Sequence, residues 1–215
     1  PVYSGYQAWR GIGKAEQSDA KFYFGKGKHI VSYPINNKGE VSFTAVVKNN
    51  SVTSDSWRIK GSQAELHKDF NEFDKNVFPR LDSSDEIYKW GIYIRPVLKS
   101  IYIKNITLLG DAAHPMVPFL GQGGCMAIED GYAFGRLAGA NAKNFSKAQA
   151  EFEKIRLYRK NMIQASSKTQ GKIYHLNNPL TVSCRNIFLK YTPVVKVRMQ
   201  KILSLIHISE PTRPR

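Results

Sequence analysis

The pattern of apolar and polar residues changes about halfway along the chain. In the first half, short apolar runs alternate with glycine and polar turn residues, as is typical of β-structure. Segments 20–25, 29–35 and 41–47 are predicted strands, and Asn-Asn-Lys-Gly at 36–39 is the predicted turn of a hairpin. A further strand is predicted over 87–96. Together these runs predict an antiparallel sheet.

Two helices are predicted within this half. Ser62 is followed three residues later by Glu65, which forms a capping box and predicts a helix as far as Asn71. A second, short helix is predicted around residues 73–81. The first half therefore combines a sheet with one or two helices that could cover a face of it.

The second half of the chain has a predominantly helical pattern. One helix is predicted over 123–140, where small residues permit close backbone packing. The next helix is predicted to begin at Ser146, its N-cap, and to end at Gly171. It combines an apolar stripe with a basic side. The stripe consists of Phe152, Ile155, Met162 and Ile163, and the basic side of Arg156, Arg159 and Lys160.

The composition is that of a globular protein. The 215 residues are 42% hydrophobic and 12% aromatic, which is enough to build a core. No apolar run is long enough to cross a bilayer. Cys125 and Cys184 are too few for a disulfide scaffold and lack the spacing of metal ligands. We therefore expect no metal site, and a reducing, cytoplasmic setting is favoured.

The net charge of +15 is unevenly distributed. Residues 1–135 carry 16 Lys/Arg and 14 Asp/Glu, whereas residues 136–201 carry 14 Lys/Arg and only 2 Asp/Glu. The basic excess of the C-terminal region fits steering of an anionic substrate, contact with an acidic membrane surface or non-specific binding of nucleic acid. A solvated basic face is the alternative interpretation.

The run with the most chemical content lies between residues 106 and 124. An apolar stretch, Ile106–Leu109, is predicted as a buried strand that ends in Gly110 and Asp111. A loop with prolines follows, and glycines at 121–124 open the next helix. This layout brings a carboxylate and free backbone N–H groups to one place, which suits a hydroxylated, partly anionic ligand.

These residues resemble a known flavin-binding motif. Gly-Asp-Ala-Ala-His-Pro at 110–115, then Pro118, Gly-Gln-Gly at 121–123 and Glu-Asp at 129–130 are similar to the second flavin motif of class A FAD-dependent aromatic-ring monooxygenases. The similarity is to salicylate hydroxylase-like enzymes in particular. A second resemblance to the same enzymes, to a run near their end, lies in Tyr-His-Leu at 174–176 and Pro-Leu at 179–180.

The resemblance implies both a fold and a reaction. The fold class is α+β, a part of the α/β FAD-binding fold, in which an antiparallel substrate-domain sheet precedes the closing strand and C-terminal helices of the flavin domain. FAD is the implied cofactor, NADH or NADPH the reductant, and O2 and a small aromatic or conjugated molecule the substrates. The implied reaction is ring hydroxylation through a flavin C4a-hydroperoxide.

The same resemblance implies roles for individual residues. Asp111 would accept hydrogen bonds from the ribityl hydroxyls, Pro118 would line the ring edge, and the helix N-terminus would stabilise the anionic reduced ring. His114 is expected to be a hydrogen-bonded structural residue rather than a general base, and no catalytic residue is assigned. The implied cofactor-binding residues are Asp111, Pro118, Gly121, Gln122, Gly123 and Gly124.

Two further predictions concern neighbouring side chains. Glu129 and Asp130 are expected to tie their helix to neighbouring strands. The residues proposed for substrate contact are chosen by type from the sheet, and Arg10 or Arg95 would pair with a substrate carboxylate. The alternative is that these aromatic residues lie in the core and the arginines on the surface. The candidates are Tyr6, Trp9, Arg10, Tyr93 and Arg95.

The resemblance also concerns the two ends of the chain. The Gly-x-Gly-x-x-Gly segment of the family does not occur here, so we expect a C-terminal fragment that binds flavin weakly or not at all by itself. We expect a substrate-binding sheet domain over 1–100 and the C-terminal part of the FAD-binding domain over 101–202. Residues 203–215 resemble a translated sequencing adapter and are predicted to be a non-native extension.

Two other functions remain open at this point. One is epoxidation of an isoprenoid by an enzyme of the same fold, with the basic C-terminal region in peripheral contact with a membrane. The other is a non-catalytic basic module that binds nucleic acid or acidic lipid, which would show steep salt dependence. No nucleic-acid-binding motif occurs, so no specific nucleic-acid partner is expected, and the sequence does not define the oligomeric state.

Overall fold

The computed structural model describes residues 1–74, 77, 81–82, 86–193, 197, 200 and 202. These residues divide into two compact units. Unit 1 comprises Pro1–Ile94 together with Lys172–Asn178. Unit 2 comprises Arg95–Gly171 and the described residues from Pro179 onward. The predicted functional domains, with a boundary after residue 100, stay a prediction.

Unit 1 is built on an antiparallel sheet. Within the described residues the sheet has five strands in the order β2-β3-β4-β1-β5. A bulge interrupts β1 between Tyr3 and Tyr6, where Gly5 adopts a φ of 81°. The strands are β1 (Val2–Lys14), β2 (Lys21–Gly25), β3 (Lys28–Pro34), β4 (Glu40–Lys48) and β5 (Ile87–Ile94).

The apolar core of unit 1 lies on one face of this sheet. Trp9 on β1 and Phe43 on β4 are fully buried there, because alternate residues of a strand point to the same side. Helix α1 (Gln63–Phe70) covers this face with Leu66 and Phe70. The predicted capping box at Ser62 is confirmed. The predicted helix around 73–81 falls largely outside the described residues.

The opposite face of the sheet carries a cluster of aromatic and histidine side chains. His29 on β3 is buried, and its Nδ1 lies 3.0 Å from Nε2 of His175. The ring of Tyr6 packs on His175, and the ring of Tyr174 packs on His29. The segment 172–178 is thereby attached to the sheet through its two central aromatic residues.

Unit 2 contains a short hairpin and three helices among the described residues. The hairpin pairs β6 (Tyr102–Ile103) with β7 (Ile106–Thr107). Two single 3-10 turns follow, and then the helices. The helices are α2 (Gly123–Ala140), α3 (Phe145–Tyr174), whose last turn belongs to unit 1, and α4 (Pro179–Tyr191). No described helix combines the length and the hydropathy needed to cross a bilayer.

The predicted α+β fold class is confirmed, but three details of unit 2 were wrong. The expected buried strand Ile106–Leu109 is only two residues long, and Ile106 is exposed, because only Tyr102–Ile103 pairs with it among the described residues. The N-terminal capping bond of α3 comes from Asn144, whose Oδ1 accepts from the Lys147 N–H, rather than from Ser146. Gly171 does not end α3.

The predicted basic side of α3 was also wrong. Arg156, Arg159 and Lys160 are each at most 2% exposed. A helical-wheel pattern assigns charged residues to solvent, but here the partners that compensate them come from other segments of unit 2.

Candidate functional site

The predicted flavin motif forms a loop that leads into the N-terminus of α2. Asp111 is exposed in the 3-10 turn Gly110–Ala112, and Pro118 is exposed in the second turn, Pro118–Leu120. Helix α2 begins after Gln122, whose side chain makes no capping hydrogen bond. The first N–H groups of an 18-residue helix are therefore left without a side-chain cap, and its dipole favours negative charge there.

The Asp111 carboxylate and this helix N-terminus are close together. An Asp111 carboxylate oxygen lies 3.9 Å from the point where a β-carbon on Gly123 would be. Gly121 has a φ of 63°, a left-handed conformation that favours glycine, and its N–H donates to the Pro118 carbonyl oxygen at 3.0 Å. No described atom lies within 4 Å of a β-carbon built on Gly121 or Gly124. The structure thus combines an exposed acceptor, an uncapped helix end and open backbone.

A buried carboxylate holds the loop in place. Asp130 on α2 accepts hydrogen bonds from the Gly110 N–H at 2.9 Å and from His114 Nε2 at 2.7 Å. Because Asp130 is an acceptor, Nε2 of His114 carries the proton, while its buried Nδ1 has no partner among the described residues. His114 is thus buried and hydrogen-bonded, and its assignment as a structural residue rather than a general base stays a prediction. Asp130 fastens α2 to this loop rather than to a strand.

The backbone at Gly110 strongly favours glycine. Its φ is 55°, and a β-carbon on it would lie 3.1 Å from the β-carbon of Ala127 on α2. The bond to Asp130 and this close approach together fix the backbone immediately before Asp111. Helix α2 therefore fixes the backbone that leads into Asp111.

The same carboxylate belongs to a buried ion cluster that joins α2 to α3. Arg156 donates from Nε to Asp130 at 2.6 Å and from Nη1 to Glu129 at 2.7 Å. Arg159 forms a two-point contact with Glu129 at 2.7 and 2.6 Å. The two positive charges of the arginines balance the two negative charges of the carboxylates. Buried charges are tolerated when they are paired in this way.

The pKa values of the two acids follow from this cluster. Burial alone would raise the pKa of Asp130, but the hydrogen bond from His114 and the charge of Arg156 outweigh it, so that the pKa lies below its ordinary value. Burial likewise opposes ionisation of Glu129, and the hydrogen bonds from Arg159 and Arg156 lower its pKa in spite of it. Both groups are carboxylates at neutral pH.

The substrate candidates of unit 1 are divided between the two sheet faces. Arg10 and Tyr6 lie on the same sheet face as His29. Trp9, which points to the core, is next to Arg10 in β1, and neighbouring residues of a strand point to opposite faces. Trp9 is 1% exposed, and its Nε1 donates to Asp69 at 2.8 Å, so it is a core residue. Tyr93 alternates to the core face and donates to the Thr53 carbonyl oxygen.

Arg10 lies in a groove with aromatic walls on that face. The groove has a volume of about 550 Å³ and lies between β1, β5 and the loop that precedes α1. Trp57, Tyr88 and Trp90 contribute its rings. Arg10 has no hydrogen-bond or ion-pair partner among the described residues. The fifth candidate, Arg95, is exposed and belongs to unit 2.

A family model matches the segment that contains the flavin motif. The model describes an FAD binding domain and matches residues 13–144, more than half of the chain. The chain belongs to this FAD-binding family. The match includes the whole loop from Gly110 to the N-terminus of α2.

Curated relatives are hydroxylases of aromatic acids. The chain is 30% identical over 183 residues to 3-amino-4-hydroxybenzoate 2-monooxygenase of Streptomyces platensis, a match that covers 82% of this chain and 46% of that protein. It is 31% identical over 157 residues to 3-hydroxybenzoate 6-hydroxylase of Polaromonas naphthalenivorans, covering 73% and 39%. The chain thus spans about half the length, or less, of the curated relatives that it matches.

Solved structures share the fold. HpxO of Klebsiella pneumoniae, complexed with FAD and uric acid, matches with a TM-score of 0.81 at 21% identity, over 98% of this chain and 54% of that one. A salicylate hydroxylase substrate complex matches with a TM-score of 0.76 at 20% identity, over 100% and 59%. These matches agree with the α+β architecture of both units.

The residues present fit the flavin half of FAD. A carboxylate suits ribityl hydroxyl donors, and an uncapped helix end suits the electron-rich edge of the isoalloxazine ring. The open space at Gly121 and Gly124 lets a planar group approach the backbone closely. Asp111, Pro118 and the glycines would hold this part of the cofactor.

Sequence reasoning missed the contacts that support the loop from α3. Gln164 and Ser167 donate to its backbone, and Gly171 accommodates Phe119. The only sequence signal for them is their common helical face, and nothing in the sequence says that this face meets a loop more than 40 residues earlier.

Proposed function

We propose that this chain is part of an FAD-dependent monooxygenase that hydroxylates an aromatic ring, with NADH or NADPH as reductant. The observation that carries the proposal is the exposed Asp111 carboxylate beside the uncapped N-terminus of α2, in a chain of the FAD-binding family. When bound, FAD would supply the oxygen chemistry. The residues of the chain bind and orient the ring, and the helix end stabilises negative charge on it.

The proposed substrate class is an aromatic carboxylic acid. Two matched relatives carry hydroxybenzoates in their names. Arg10 supports the same class, because an unpaired guanidinium beside three aromatic rings suits an aromatic carboxylate. Tyr6 lies on the same sheet face and remains a proposed contributor, whereas the burial of Trp9 and the core-side position of Tyr93 remove the support for those two.

The proposal for the cofactor is tested in a hybrid protein. This chain replaces the matched segment of the Streptomyces platensis relative, and bound FAD is measured by absorption after purification. We expect a yellow protein and at least a 10-fold loss of FAD affinity in Asp111→Asn, since a charged hydrogen-bond acceptor is replaced by a neutral and weaker one. Asp55→Asn, at an exposed loop position, is the matched control. A folded hybrid without FAD, or one in which Asp111→Asn binds FAD unchanged, contradicts the proposal.

The substrate class is tested separately. Calorimetry with 3-hydroxybenzoate and its neutral amide on the 215-residue chain should show preference for the acid, and Arg10→Gln should remove that preference. Arg136→Gln, an exposed arginine on α2, is the control. Substrate-stimulated NAD(P)H oxidation by the hybrid then tests the reaction. Equal binding of acid and amide would exclude Arg10 as the carboxylate partner.

Membrane contact and the use of the C-terminal basic charge stay predictions. Among the described residues, four of the 14 basic residues in 136–201 are buried and are not available to an external anion, namely Arg156, Arg159, Lys160 and Arg185. This burial lowers the support for a purely basic binding module.

A further inference from the structure

A row of polar and small residues runs along one buried face of α3. The five residues are spaced four, four, three and four positions apart, which places them on one side of a helix. All five are buried. The row consists of Arg156, Lys160, Gln164, Ser167 and Gly171.

Two residues of this row donate to the backbone of the loop between Pro115 and Gly121. Gln164 donates from Nε2 to the Pro115 carbonyl oxygen at 3.1 Å, and Ser167 donates from Oγ to the Val117 carbonyl oxygen at 2.5 Å. Both donors are at most 2% exposed. A hydrogen bond in such a place is costly to lose, because water cannot replace the missing donor.

The third residue fixes the loop by shape. A β-carbon on Gly171 would lie 2.4 and 2.5 Å from two ring atoms of Phe119, so the ring packs directly on the helix backbone. Phe119 is the central residue of the turn Pro118–Leu120. Only glycine at position 171 lets the turn come this close.

Apolar contacts secure the remaining side chains of the loop. Met116 and Leu120 pack against a buried cluster that contains Met126 of α2 and Ile163 of α3. The loop is therefore attached to α3 through its backbone at Pro115 and Val117, and through its side chains at positions 116, 119 and 120. Pro118 and Gly121 are the exposed members that remain free to meet a ligand.

We propose that Gln164, Ser167 and Gly171 are positioning residues that preset this loop for the isoalloxazine ring of a flavin. They do not touch the ring. They hold the backbone so that Pro118 and the left-handed Gly121 are presented in one arrangement before the ligand binds. The identity of the ligand rests on the proposed function, whereas the fixing of the loop does not.

The fixing of the loop is tested on the 215-residue chain by hydrogen exchange. Ser167→Ala and Gln164→Met each remove one donor and should speed exchange of the amides in 116–121 by about 5- to 100-fold. Thr169→Val is the matched control, because Thr169 donates to the Ala165 carbonyl oxygen within the exposed part of the same helix. Unchanged exchange in the loop, or an equal rise along the whole chain, would overturn the proposal.

The effect on the ligand is tested in the FAD-saturated hybrid. The visible circular dichroism of bound FAD should change in Ser167→Ala and not in Thr169→Val. A loop that exchanges faster around an unchanged flavin spectrum would overturn the positioning role. A hybrid that binds no FAD would contradict the proposed function, while the exchange experiment would still decide whether α3 fixes the loop.

Discussion

The two units attach a helix to its surroundings with different shares of apolar and buried polar contact. In unit 1, α1 packs on the sheet through Leu66 and Phe70 in an apolar core. Polar bonds lie at the edge of this contact, where Asp69 accepts from Trp9 Nε1 and Glu65 pairs with Lys89. In unit 2, a buried row of α3 residues contacts α2 and the loop between Pro115 and Gly121. This row includes Arg156, which pairs with Asp130. The centre of the first contact is held by burial of apolar surface, which is not directional.

The second contact depends on direction and charge. Each donor of α3 has to meet one carboxylate or one carbonyl oxygen, and an error of one residue would bury an unpaired group. Such a contact contributes little more stability than an apolar one, but it fixes the position of the loop more narrowly. We infer that directional contacts hold the loop between Pro115 and Gly121 in one position, whereas α1 is held mainly by burial.

The largest expected effect comes from breaking one anchor in each unit. Phe43→Ala in the sheet core and Arg156→Met in the ion cluster should each lower the free energy of unfolding by about 3–5 kcal/mol at pH 7, measured by urea titration. The first leaves a cavity, and the second leaves the buried Asp130 without its arginine, although Glu129 keeps Arg159. Arg136→Met, at an exposed position on α2, should change the free energy of unfolding by less than about 0.5 kcal/mol.

Acidification should separate the two anchors. The pKa values of Glu129 and Asp130 are lowered in the folded chain. Their ionised forms therefore contribute to the free energy of unfolding above the unfolded pKa values near 4, and this contribution is lost as the pH falls through the folded pKa values. Below about pH 4 the cost of Arg156→Met should therefore shrink, while that of Phe43→Ala should not. An equal cost of both substitutions at low pH would contradict the assignment of the cluster.

A second prediction concerns the buried histidines on the other sheet face. Burial, and then the charge of His175, lowers the pKa of His29 to about 3. As the pH falls below about 6.5, the unfolded chain binds a proton at His29 that the folded chain does not bind. The free energy of unfolding therefore decreases as the pH decreases. Between pH 6.5 and 4.5 the expected loss is about 2–3 kcal/mol.

Substitution of the histidine checks this pH dependence. His29→Gln should flatten the fall in unfolding free energy between pH 6.5 and 4.5, with Tyr6, Tyr174 and His175 still facing the site. His67→Gln, at an exposed position on α1, should leave most of the slope in place. A slope that survives in His29→Gln would show that other groups cause it.

The smallest expected effect compares two helical glycines. Gly171→Ala forces a methyl group against the ring of Phe119 and should cost about 1–3 kcal/mol, although alanine favours helix. Gly135→Ala on α2 has no described atom within 4 Å of the new methyl group and should stabilise by up to about 1 kcal/mol. Melting temperatures of the two variants measure the difference, and a stabilising Gly171→Ala would contradict the close packing.

Much of the fold could be predicted from local pattern. The strands of the hairpin, the capping box at Ser62 and the bounds of α2 followed from period, turn residues and caps. The flavin motif predicted the loop, and the structure brings Asp111 beside Gly123 as that motif implied.

Other features could not be predicted because they depend on partners far along the chain. Gly171 has the usual signature of a helix end, but it is an interior packing position, since Phe119 lies where a side chain would be. Trp9 has the type of a substrate contact, but strand alternation and α1 place it in the core.

The sequence by itself determined the periodic elements, the family motif and the uneven charge, because each is a property of neighbouring residues. Tertiary structure alone decided which charges are buried and what they hold. Arg156 and Lys160 look like a solvated basic side in sequence, yet Arg156 meets Asp130 from a different helix, 26 residues earlier. A buried ion or hydrogen-bond donor is tolerated only where the fold places a partner beside it. Local sequence pattern does not specify which distant residue that partner is.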